Sequence, residues 1–163
     1  MESVPRLVFA SARQWAGLVR SGNIWRAPDR LGQDYRIDRG GTYRIFRETH
    51  GRDAVMESSG VLVVGFRLRI IGSNRICHWL FQRLCLLTTP FWSGFPGFRI
   101  KLWMVDPETK NYLGIYEWAG EDHARTYVET LMKILRPLST PGSVWYERYP
   151  GQALGPFLNA RLA

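Results

Sequence analysis

The chain has two cysteines, three histidines, fewer acidic than basic residues and no uninterrupted apolar run of bilayer length. Each scarcity excludes something. Cys77 and Cys85 fall in one expected helix, roughly 12 Å apart along its axis, too far to bridge each other, so they read as free thiols in a reducing compartment, with the cytoplasm as the default. His50, His78 and His123 stand alone in the sequence and neither they nor the cysteines have zinc-ligand spacing, so no metal is expected. No Gly-x-Gly-x-x-Gly, P-loop or nucleophile elbow is present. The first fifteen residues lack the basic start and apolar stretch of a secretory signal. The apolar character that begins near Ile76 is interrupted by His78, Gln82 and Arg83 and broken by Pro90, Gly94, Pro96 and Gly97, which argues against a membrane span.

The shortage of acidic residues leaves a formal charge of +8, which favours anionic partners. The arginines are scattered, however, and most read as solvated surface. What the chain has in quantity is aromatic side chain, 13% of 163 residues, within a hydrophobic fraction of 45%. That suffices for one domain with a core, or a small domain plus an extension.

The clearest stretch is Gly97 to Trp118. Phe98, Ile100, Leu102 and Met104 alternate with Arg99, Lys101, Trp103 and Val105, the period of a strand. Asp106 to Asn111 supplies a turn, and Tyr112, Gly114, Tyr116 and Trp118 share one side of a returning strand. Before this hairpin, Val61 to Ile71 reads as a strand with Leu62, Val64, Phe66, Leu68 and Ile70 on one face, and residues 75–88 as a helix apolar nearly all round. After it, Gly120-Glu121-Asp122 opens a helix with Ala124, Tyr127, Val128, Leu131 and Leu135 on one face and Pro137 at its end. Val144 to Tyr149 alternates again, with Val144 and Tyr146 opposite Trp145, Glu147 and Tyr149. The order β-α-β-β-α-β predicts an α+β, ferredoxin-like domain over residues 57–151: a four-stranded antiparallel sheet with both helices on one face. Residues 1–56 predict an extension with a helix near 11–21 and a β-hairpin around Gly40-Gly41, and residues 152–163 a C-terminal arm.

The even-numbered face is apolar enough to lie under the helices. The odd-numbered face mixes Val61, Val63, Leu113, Ile115, Trp103 and Trp145 with Arg67, Arg69, Arg99 and Lys101, which predicts burial against a partner. RNA is disfavoured, because the exposed positions of the two central strands carry none of the stacking aromatics such domains use. A second copy of the sheet fits better, with Arg67, Lys101, Trp103 and Trp145 at the interface of a homodimer.

Pro96-Gly97-Phe98, Lys101-Leu102-Trp103, Gly114 to Trp118, Tyr127 and Pro141-Gly142 make the chain resemble the YdhR-type mono-oxygenase family of the dimeric α+β barrel superfamily. The resemblance spans roughly residues 60 to 150. It implies cofactor-free chemistry on a hydrophobic, aromatic or polyketide-like small molecule, deprotonated in a dry pocket and exposed to dioxygen. Such a site needs a base and a group facing the developing oxyanion. Tyr116, Arg83 and His78 are the catalytic candidates, and Trp79, Trp118, Tyr127 and Tyr146 the substrate-binding ones. A non-oxidative cyclase or isomerase, and a non-catalytic binding protein for a hydrophobic anion, are the alternatives.

Overall fold

In the computed structural model, the residues described are 30–39, 41–51, 59–69, 97–163 and, between the last two, 74, 76–83, 85 and 95. The helix expected near 11–21 lies outside them. Six strands form one antiparallel sheet: β1 (Asp34–Ile37), β2 (Gly41–His50), β3 (Ser59–Phe66), β4 (Phe98–Val105), β5 (Tyr112–Ala119) and β6 (Trp145–Pro150). Helix α1 covers residues 76–83 and includes 85, α2 spans Glu121–Leu138 and α3 Leu154–Asn159.

The strand order β1-β2-β4-β5-β3-β6 contains the ferredoxin-like four, β4-β5-β3-β6, as expected. The sheet has six strands rather than four because the β1–β2 hairpin pairs with the free edge of β4, from Arg44 opposite Val105 to His50 opposite Ile100. An edge strand offers a row of unpaired backbone groups, and the hairpin satisfies it.

Each face of the sheet carries its own core. On one side Leu62, Val64, Phe98, Tyr116 and Trp118 pack against Ala124, Tyr127, Val128, Leu131 and Leu135 of α2. That is the amphipathic stripe expected of this helix, with Glu121 and Asp122 in its first turn. On the other side Val61, Val63, Leu102, Met104, Leu113 and Ile115 pack against Tyr35, Ile37, Tyr43 and Ile45 of the hairpin and Leu154, Phe157 and Leu158 of α3. This face, expected to meet a second copy, carries the chain's own hairpin and C-terminal helix. The Leu154 N–H donates to Glu117 Oε1 at 3.2 Å, which satisfies one of the open backbone donors at the start of α3.

One face assignment is overturned. Leu102 and Met104 were expected under the helices beside Phe98, and Lys101 and Trp103 on the opposite side. The register of β4 against β5 slips between Phe98 and Ile100: Phe98 opposes Trp118, but Ile100 opposes Glu117 and Lys101 opposes Tyr116. The extra residue, Arg99, is a β-bulge, and a one-residue slip exchanges the faces of everything after it. Lys101 and Trp103 therefore lie on the helix side, buried to 4% and 8% exposure.

Candidate functional site

The bulge delivers a lysine and an indole into an apolar cavity of about 120 Å³ between the sheet and α2. Phe46 of β2, Phe66 of β3, Phe81 and Cys85 of α1, Tyr112 and Tyr116 of β5, and Leu131, Ile134, Leu135 and Leu138 of α2 complete its wall. The strands contribute by alternation, since every second residue faces the helices. Gly114, between Tyr112 and Tyr116, leaves room: a Cβ there would stand 2.8 Å from the Tyr116 ring.

Lys101 Nζ lies 3.2 Å from the centroid of the Trp103 ring and 4.8 Å from that of Tyr116. Burial drives its pKa well below 10.5, and the positive charge of Arg47 pushes the same way, against an opposing effect of the Cys85 thiol. Desolvation penalises the charged form of an amine, so this lysine is tuned toward neutrality. Trp103 is fixed on its other edge by its indole N–H, which donates to Thr49 Oγ1 at 3.1 Å. Burial pushes the Cys85 thiol up to about 11 and raises the Tyr116 and Tyr127 hydroxyls above their ordinary value, the Tyr116 hydroxyl adding to the shift of Tyr127. These phenols stay protonated at neutral pH.

Toward β3 and α1 the wall is an aromatic stack. Tyr112 lies 5.7 Å from Phe66, nearly parallel, and 4.7 Å from Phe81. Its hydroxyl and His78 Nδ1 are hydrogen-bonded at 2.7 Å.

Of the residues expected to form the site, Tyr116 lines the cavity, and His78 reaches it through Tyr112. Trp118 and Tyr127 are fully buried behind Tyr116, their rings 4.7 Å apart, and support it. Trp79 and Arg83 lie together in a neighbouring groove with Phe46, Arg47 and Gln82. Tyr146 is 43% exposed and does not line the cavity. Arg67 and Trp145 line a separate groove with Arg39 and Asn111. Lys101, Trp103, Tyr112 and Cys85 were not singled out as cavity residues from sequence. The signal available was a lysine and a tryptophan two positions apart in a strand whose remaining residues, Arg99 excepted, are apolar.

Among the described residues there is no group of three side chains able to hold a metal, and no helix long and apolar enough to cross a membrane.

No protein-family model and no curated protein matches the sequence. Among solved structures, the chain is similar to the heme-degrading enzyme LmHde of Listeria monocytogenes, at 13% identity and a TM-score of 0.51 over 83% of this chain and 94% of that one. It is also similar to a monooxygenase-like protein of Listeria innocua, at 13% identity and a TM-score of 0.50 over 87% and 89%. At such identities the likeness is one of fold. The chain has the ferredoxin-like α+β fold of monooxygenase-like proteins.

Proposed function

We propose that this protein is a monooxygenase-like enzyme, needing no cofactor, that acts on a small hydrophobic aromatic molecule in the cavity around Lys101. The observation that carries the reading is a lysine nitrogen close to two aromatic rings, 3.2 Å from the centroid of Trp103 and 4.8 Å from that of Tyr116, in an apolar enclosure. Lowering the pKa of a lysine favours its neutral form, the form that acts as a general base. Lys101 Nζ takes the hydroxyl proton of a phenol or enol, and the ammonium so formed faces the new oxyanion while Trp103 and Tyr116 present their π faces to it. The electron-rich ring then reacts with dioxygen: one oxygen atom enters a ring carbon to give a quinone, and the other leaves as water with two hydrogens of the substrate.

The cavity volume sets the size of the substrate. An apolar cavity of roughly 150 Å³ takes benzene, so about 120 Å³ suits one ring. A polyketide-like molecule would enter by one ring, with the remainder outside.

In this reading residues 57–151 supply Lys101, Trp103 and Tyr116, residues 1–56 add Phe46 to the cavity wall and Thr49 behind Trp103, and residues 152–163 extend the domain. A homodimer would join through a surface other than the sheet face that Leu154, Phe157 and Leu158 fill. The free thiols Cys77 and Cys85 support a reducing compartment such as the cytoplasm.

Oxygen uptake over a panel of single-ring phenols and cyclic enols tests the proposal. Wild type is expected to consume oxygen stoichiometrically with quinone formed, and Lys101→Met to lose on the order of a hundredfold or more in kcat/KM. Equal turnover by the variant would remove Lys101 from the mechanism. Turnover unchanged without oxygen would assign the non-oxidative cyclase or isomerase, which shares the proton-removal step.

A further inference from the structure

We infer that Arg47, Gln82 and Arg83 form an anion site that holds the carboxylate of an aromatic acid whose ring occupies the Lys101 cavity. The inference rests on the proposed reading of that cavity and names the class of its ligand.

The groove beside the cavity has a volume of about 220 Å³ and is lined by Phe46, Arg47, Trp79, Gln82 and Arg83. Phe46 also lines the cavity, so the two spaces share one side chain. Arg47 is the unusual member. Its Nη1 is fully buried and has no hydrogen-bond partner, and its guanidinium carbon lies 5.8 Å from the centroid of the Trp103 ring. Burial lowers its pKa, as expected of a charge taken out of water without an acceptor. Among the described residues, no carboxylate pairs with Arg47 or with Arg83. Among the described residues this partly buried guanidinium has no counter-ion, a cost in the free protein that an arriving anion relieves.

The remaining groups fit the same ligand. Arg83 lies over the Trp79 ring at 5.1 Å, which orients a planar fork of donors on the open side of the groove. Gln82 adds an amide donor. A carboxylate accepts from such forks with two oxygens at once, and the ring it carries would lie beside Phe46, directed toward Lys101 and Trp103. With Lys101 tuned toward neutrality, the permanent positive charge in the neighbouring groove, among the described residues, is that of Arg47 and Arg83. Steering the acid group to them directs the ring hydroxyl, rather than the carboxylate, toward the lysine.

Isothermal titration with benzoate and with benzyl alcohol, its neutral counterpart, tests this. Benzoate is expected to bind wild type at least about tenfold more tightly, the scale of charge-assisted hydrogen bonds. Arg47→Met and the surface change Arg83→Gln should each erase most of that difference while leaving benzyl alcohol unaffected. Leu138→Trp, at the mouth of the cavity, should weaken both. Equal affinity of the two probes for wild type, or a benzoate advantage that survives both arginine variants, overturns the anion site. Inorganic phosphate binding as tightly as benzoate and insensitive to Leu138→Trp overturns the pairing of acid with ring. Failure of benzyl alcohol to bind, or insensitivity of both probes to Leu138→Trp, contradicts the cavity reading itself and this inference with it.

Discussion

Lys101 Nζ stands 3.2 Å from the centroid of the Trp103 ring, two positions along the same strand. Neighbours at that spacing point to one face, so the bulge at Arg99 that turned one inward turned both.

The lysine makes stability depend on pH with a definite sign. Its folded-state pKa lies well below 10.5, so between the two values the unfolded chain binds a proton that the folded chain does not, and stability rises with pH. Above pH 9 the Cys85 thiol, raised to about 11, contributes the opposite slope, its stabilisation being lost as pH rises through that value. Denaturant unfolding at a series of pH values up to 9 should show wild type gaining stability relative to Lys101→Met, whose own curve is flatter. A parallel pair of curves would mean that the amine is solvated.

The two thiols should react at very different rates. Cys85 is 3% exposed and its pKa is raised by burial, whereas Cys77 is partly exposed. Since the thiolate is the nucleophile, iodoacetamide near pH 8 is expected to label Cys77 first and Cys85 only on unfolding. Peptide mass spectrometry reads this directly, and early labelling of Cys85 would show that the cavity opens.

Helix α3 is short, but its side chains are core. Phe157 is fully buried, 5.0 Å from the Tyr149 ring and beneath the Arg161 guanidinium at 4.1 Å. Phe157→Ala is expected to cost about 3–5 kcal/mol in urea unfolding, the range for deleting a buried aromatic. A loss near zero would mean that the sheet face is not closed by this helix in solution.

Gly114 tests the shape of the cavity. Its Cβ would approach the Tyr116 ring to 2.8 Å, closer than packed carbons tolerate. Gly114→Ala should displace Tyr116, cost roughly 1–3 kcal/mol as overpacking does, and weaken binding of any ring beside Lys101. Unfolding and ligand titration on the same sample separate the two effects.

Periodicity made the β-α-β-β-α-β order legible, together with the faces of β3, β5 and α2, because Leu62, Tyr116 and Tyr127 sit in unbroken repeats. It failed at β4, where Arg99 adds one residue. A bulge leaves the alternation of residue types intact and changes only their register against a neighbour, so Lys101 and Trp103 read as outward. Helix α3 escaped for a different reason. Leu-Gly-Pro-Phe-Leu-Asn is too short to show a helical period, and its helix is stabilised by packing of Leu154, Phe157 and Leu158 on the sheet. The cavity depends on contacts distant in sequence: Phe46, Cys85, Lys101 and Leu135 meet there, and no local pattern joins them.

The central claim is that Lys101 takes a proton from a phenol bound in the cavity, and the absorption spectrum of bound 4-nitrophenol tests it most directly. At a pH where the free phenol is protonated, wild type is expected to bring up the phenolate band as the ligand binds, and Lys101→Met to bind it with the band absent. A ligand that stays protonated on wild type, or a phenolate band that persists in the variant, would contradict the account.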